Sequence, residues 1–115
     1  MTQQENPWVQ LCPGIKRRTI ANGPKMYQQR AELDAGSRMP EHHHQQEQIA
    51  YVVSGRVRLV VGGVPYDLNA GESVYIGSDV PHSAETFEEE TVIIDTFSPP
   101  RNDYLARDEE VRAWR

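Results

Sequence analysis

The sequence predicts an all-β fold, a barrel or sandwich of short strands. Three observations carry that expectation. Polar and apolar residues alternate with a period near two rather than three and a half. Valine and isoleucine concentrate in short runs, and Gly, Asn and Ser punctuate those runs at close intervals. Helical periodicity is almost absent before residue 103.

The elements follow in order. Residues 15–20 read as strand outside a minimal barrel, and Lys16-Arg17-Arg18 as a solvated strand edge, where charge discourages edge-to-edge pairing. Residues 25–33 mix polar and apolar side chains as a half-buried strand does. Residues 49–53 and 57–61 are β-branched strands bounded by Ser54-Gly55 and Gly62-Gly63. The paired glycines between Val61 and Val64 signal a type I′ hairpin, since both positions tolerate positive φ. Asn69-Ala70-Gly71-Glu72 marks a turn, residues 73–76 a short strand, and Glu88-Glu89-Glu90 a charged turn. Residues 92–97 alternate so that Ile93, Asp95 and Phe97 share one face. Pro99 and Pro100 stop that strand. The tail from residue 103 tolerates a short helix through Leu105, Glu109, Val111 and Arg112.

At 115 residues the chain suits one domain, 1–115, with its core over about 25–100. Such a length buries about two thirds of the extended-chain surface. A net charge of −5 with scattered Lys and Arg argues against a nucleic-acid binder. No apolar run approaches membrane-spanning length, so no membrane partner is expected. The first seven residues lack the basic and apolar regions of a signal peptide. Cys12 is the only cysteine, which excludes an intrachain disulfide and fits a reducing cytoplasm, the expected location.

The chemistry concentrates in four residues. His42 and His44 are two apart and would share one face of a strand, with His43 pointing away. Gln48 directly precedes a strand, and His82 follows Pro81 far downstream. Three imidazoles and one oxygen donor make a first shell for a borderline divalent metal. A second constellation lies at residues 95–105. A carboxylate at Asp95 amid apolar neighbours is costly unless paired or functional. Arg101 is held in place by the Pro-Pro turn, so a buried Asp95–Arg101 ion pair is the plain alternative to a functional role.

Gly36-x5-His42-x-His44-x3-Gln48-x6-Gly55 resembles the first signature of the cupins. Gly71-x9-Pro81-His82 resembles a shortened second one, with Gly77 where many members carry proline. The usual fourth ligand is glutamate, and here that place holds Gln48 with Glu47 just before it. The ligand in this pattern precedes the apolar strand residue, here Ile49, which favours Gln48. Residues 47–55, 80–84 and 95–105 together resemble the KdgF-type pectin-degradation cupins, across residues 14–105. Asn102 stands where that family is expected to carry an acidic residue.

The resemblance implies a cupin-type double-stranded β-helix, or jelly-roll barrel, with an N-terminal strand extension and a short C-terminal tail. It implies one divalent metal per chain on His42, His44, Gln48 and His82, and a homodimer. The implied reaction is metal-dependent ring opening of 4,5-unsaturated monouronates, small anionic sugars, to open-chain keto uronates. Asp95 and Arg101 would be catalytic, with Phe97, Arg101 and Tyr51 binding substrate. The residues suit that chemistry: Asp95 as proton carrier, Arg101 as a fork for the carboxylate, and an all-neutral ligand set that keeps the cation's full charge. His/Gln ligation suits Zn, Ni, Fe, Mn and Co alike. An Fe-dependent cupin dioxygenase and a non-catalytic sugar- or effector-binding cupin are the two other readings of the same residues.

Overall fold

The computed structural model describes residues 6–114. Residues 1–5, most of the segment read above for a signal peptide, lie outside them, as does Arg115. The strands are β1 (Val9–Cys12), β2 (Ile15–Asn22), β3 (Tyr27–Leu33), β4 (Arg38–His42) and β5 (Glu47–Ser54). They continue with β6 (Arg56–Val61), β7 (Val64–Asn69), β8 (Ser73–Ile76), β9 (His82–Thr86) and β10 (Thr91–Ser98), before α1 (Asn102–Ala113). Two antiparallel sheets form, ordered β1-β2-β3-β10-β5-β8 and β4-β9-β6-β7, the expected jelly-roll arrangement. No helix among the described residues is long and apolar enough to cross a membrane.

The turns obey the local chemistry. Gly62 and Gly63 both take positive φ, 56° and 82°, and close the β6–β7 hairpin. Gly55 is required more strictly. At φ 85° it lies so close to the Glu90 carbonyl and the Thr91 hydroxyl that a Cβ would collide with both. Pro40 hides β4 from a propensity reading, yet β4 is a sheet edge, where a missing N–H is tolerated.

Strict alternation sends one row of each central strand inward, and the rows change character along their length. On β10 the buried residues are Thr91, Ile93, Asp95 and Phe97, on β3 Tyr27, Gln29, Ala31 and Leu33, and on β5 Gln48, Ala50 and Val52. Antiparallel register aligns these rows. Ala31, Ile93 and Val52 lie side by side in the apolar core, and Gln29, Asp95 and Ala50 form the next row. Tyr27, Phe97 and Gln48 form the row beyond. The core, centred on fully buried Val52 and Val57, therefore fills one end of the barrel. The other end is polar. Burying such a valine contributes about 1.5–3 kcal/mol, so the apolar end holds the polar end together.

One expectation is overturned. Arg17 is not part of a solvated edge; its exposure is 0%. It lies on the inward row of β2, and its Nη1 donates to Asp108 Oδ1 of α1 at 2.7 Å. Thr19 Oγ1 donates to Asp108 Oδ2 at 2.6 Å, and Arg17 Nη2 donates to the Tyr104 carbonyl at 3.2 Å. Lys16 and Arg18 flank it on the outer face, within 4.8 Å of the Trp8 ring, so the triplet alternates as a strand does. The tail is a twelve-residue helix packed on its own barrel, and its buried residue is Asp108. A charged side chain, not an apolar stripe, seats it.

Removing one partner of such a pair strands the other charge in a low dielectric. Asp108→Ala should lower the unfolding free energy by about 3–5 kcal/mol in urea titrations, and Arg17→Met/Asp108→Leu by less. An Asp108→Ala midpoint equal to wild type would contradict this account.

Candidate metal centre and adjoining pocket

His42 closes β4 and His82 opens β9, and the two are direct cross-strand partners with ring centroids 4.2 Å apart. Distance in sequence is cancelled by register. His44 lies beyond the end of β4, so the same-face strand argument does not place it. A loop does, pinned by the Asp79 N–H donating to the His44 carbonyl at 2.8 Å. Its ring comes within 5.9 Å of His42 and 4.9 Å of His82. His43 points away, as expected, beside Asp79 at 3.6 Å. On β5, Gln48 is buried and faces the histidines, whereas Glu47 is exposed.

The imidazoles share one hydrogen-bond scheme. Nδ1 of His42, His44 and His82 lies 2.9–3.0 Å from the carbonyls of Pro40, Gln46 and Val80 respectively. A carbonyl only accepts, so each Nδ1 carries the proton and each Nε2 presents a lone pair. His82 Nε2 is buried without a hydrogen-bond partner. His44 Nε2 lies 3.1 Å from Gln48 Oε1, two acceptors facing each other. The Gln48 amide cannot turn over to relieve this, because its Nε2 donates to Asp95 Oδ1 at 2.8 Å. A cation between these lone pairs resolves the conflict. The ligand atoms of the three histidines lie within 4.8 Å of one another, so the donor set fits a divalent metal.

Burial favours the neutral form of His44 and His82. Desolvation, only partly offset by the Val80 carbonyl, lowers the His82 pKa to about 4. Desolvation and the positive charge of Arg101 lower that of His44. Neutral imidazole is the ligating form.

Asp95 lies 7% exposed beside this cluster. Its two oxygens accept from Gln48 Nε2 and, at 3.1 Å, from Gln29 Nε2. Burial pushes its carboxyl upward, opposed by these two amide donors and by Arg101. No direct Asp95–Arg101 pair forms among the described residues. Arg101 instead clasps Asp103 through Nε and Nη2 at 3.1 and 3.0 Å, which leaves its end-on Nη1/Nη2 edge for a ligand. Phe97 packs edge-on to His44 at 5.4 Å, under the Arg101 guanidinium at 4.9 Å.

Asp95, Phe97 and Arg101 thus line one cavity with the histidines and Gln48, partly open to solvent. Tyr51 does not. Expected at the substrate, it is 44% exposed on the outer face of β5, because it is an odd step from Gln48. Gln29 and Tyr104 are among the lining residues that escaped the sequence reading. Gln29 had a signal: it is the polar member of the inward row Tyr27, Gln29, Ala31, Leu33.

A family model for the cupin domain matches residues 29–97. The chain belongs to the cupin family. This cupin is 34% identical over 102 residues to the pectin degradation protein KdgF of Dickeya dadantii (strain 3937), across 88% of this chain and 93% of that protein. The solved structure of KdgF from Halomonas sp. is similar at a TM-score of 0.81 and 30% identity, covering 88% of this chain and 93% of that one. An RmlC-like cupin from Shewanella frigidimarina NCIMB 400 matches at 0.82 and 29% identity, over 90% and 93% of the two chains. The resemblance to KdgF-type cupins read from the sequence therefore holds across most of the chain.

The histidine burial has a measurable consequence. His82 is neutral in the folded metal-free cupin and protonates on unfolding at acidic pH. Its contribution to stability is fully present above its ordinary pKa of 6.5 and is lost as pH falls from there to about 4. Imidazole NMR titration of metal-free protein should show one histidine still neutral at pH 5. Three pocket histidines titrating near 6.5 would refute this.

Proposed function

We propose that this cupin opens the ring of 4,5-unsaturated monouronates, producing open-chain keto uronates, with a divalent cation held by His42, His44, Gln48 and His82. The observation that carries the reading is the juxtaposition of a buried carboxylate, an arginine with one donor edge spare and an aromatic face beside that donor set. The name of the Dickeya dadantii relative places that protein in pectin degradation, which supports a uronate-derived substrate here.

The reaction is an isomerisation. The hemiacetal hydroxyl loses its proton, the bond from that carbon to the ring oxygen breaks, and an aldehyde forms. The electron pair stays on the ring oxygen as an enolate, which becomes a ketone when the former alkene carbon takes a proton. When bound, the cation would supply positive charge to an oxygen that becomes anionic, undiminished by its all-neutral ligands. The residues of this chain answer the remaining needs. Asp95 accepts hydrogen bonds at both oxygens, as an ionised base does, and its burial favours holding a proton once taken. The spare edge of Arg101 suits the substrate carboxylate, and Phe97 forms a wall for the sugar.

Loss of alkene absorbance, followed with and without protein, tests the reading directly. Wild type should turn over and hold about one metal per chain, and His42→Ala/His82→Ala should lose both. Asp95→Asn should keep its metal while kcat falls by ~10²–10⁴-fold. Arg101→Ala should act mainly on KM. A wild type inert on monomers from both pectin and alginate would overturn the proposal, and oxygen consumption in its place would favour a dioxygenase.

We also propose a homodimer. The tail packs on its own barrel through Asp108. The outer face of the six-stranded sheet is the better candidate, exposing Ile49, Tyr51, Val53 and Tyr75 on neighbouring strands β5 and β8. A contiguous apolar patch of this kind favours a partner surface. Light scattering at micromolar concentration should give twice the chain mass, and Tyr51→Glu/Tyr75→Glu the chain mass. A monomeric wild type would end this proposal.

A further inference from the structure

The seating of α1 bears on the pocket as well as on stability. The helix carries Tyr104 into the cavity wall, and Arg101 is its N-terminal cap residue. The Tyr104 ring lies between two guanidiniums, with Arg101 Cζ 3.7 Å and Arg17 Cζ 4.2 Å from its centroid. We propose that Arg17 is a positioning residue that holds Arg101, through the Tyr104 ring, where its spare edge meets a ligand carboxylate.

Phe97 lies under Arg101 at 4.9 Å, and the two closer supports differ in strength. Asp103 clasps one edge, but its side chain is 60% exposed, so water competes for that carboxylate. The other support is the Tyr104 face, and that face is fixed from behind. Arg17 is fully buried and grips Tyr104 twice, by its ring and by its carbonyl. Asp108 and Thr19 in turn fix Arg17. Two cations on opposite faces of one ring repel, and Asp108 neutralises the rear one, so the ring can attract the front one. Arg17 does not line the cavity, so it has no reach to a ligand.

The proposal rests on Arg101 as the carboxylate-binding group, and the test separates the two. Arg17→Lys keeps the charge beside Asp108 but loses the planar stack. On the metal-loaded protein it should raise KM for the unsaturated monouronate roughly tenfold, with kcat within about twofold, the coupling expected of residues in one network. Tyr104→Leu should do the same, and neither change should raise KM further in an Arg101→Ala background. A merely structural role would lower the active fraction and hence kcat, leaving KM alone. An Arg17→Lys variant with unchanged KM, or with additive effects on Arg101→Ala, would overturn the proposal.

A second readout needs no substrate. The Arg101 Nε–Hε resonance, shifted by the Tyr104 ring, should move towards its random-coil position in Arg17→Lys and in Asp108→Asn. An inert wild type would remove the catalytic reading, and this resonance would still decide. If it stays in place in both variants, Arg17 does not position Arg101.

Discussion

The register of β10 between β3 and β5 is the constraint on which the rest depends. It makes Asp95 the direct neighbour of Gln29 on one side and of Ala50 on the other, with Gln48 one inward step further along β5. Two amides therefore reach the same carboxylate. One of them is also pinned by it, so that Gln48 Oε1 turns to His44. A slip of β10 by one residue would send Asp95 and Phe97 to solvent together and bring Ile94 inward. The apolar rows at the other end of the same strands resist that slip. The site is thus held by the core without being part of it.

Charge is arranged around that row in layers. Burial lowers the pKa of His44 and His82 and pushes the Asp95 carboxyl upward against its two amide donors, and Arg101 lies over Phe97. Each buried polar group costs free energy unless satisfied, and most are satisfied by one another. Two of the exceptions are informative. His82 Nε2 has no partner, and His44 Nε2 faces another acceptor. Both lone pairs belong to the same cluster, so the unmet demand is for a cation at one place. A second buried charge system, Arg17 with Asp108, lies behind the first and attaches the helix that walls the pocket.

Much of this was legible in the residues. Alternation over 92–97 identified the inward trio Ile93, Asp95 and Phe97, and the spacing of His42, His44, Gln48 and His82 identified the metal candidates, because both patterns are local or belong to a family signature. The glycines at 62 and 63 announced their hairpin for the same reason. The reading failed where a side chain's partner is remote. Arg17 in a basic triplet looks like a solvated edge until Asp108, ninety-one residues away, is folded against it. Tyr51 was assigned by motif proximity, although its parity relative to Gln48 already sent it outward.

The sequence by itself determined which residues can alternate, which turns can close, and which donors are available to a metal. Those properties depend on side-chain chemistry and on neighbours a few positions apart. Only the tertiary structure decided what those donors face. The pairing of His42 with His82, the two amides on Asp95, and the Tyr104 ring between Arg17 and Arg101 each join segments brought together by strand register and helix docking. Register is set cooperatively by the apolar rows of several strands at once. No single segment carries it.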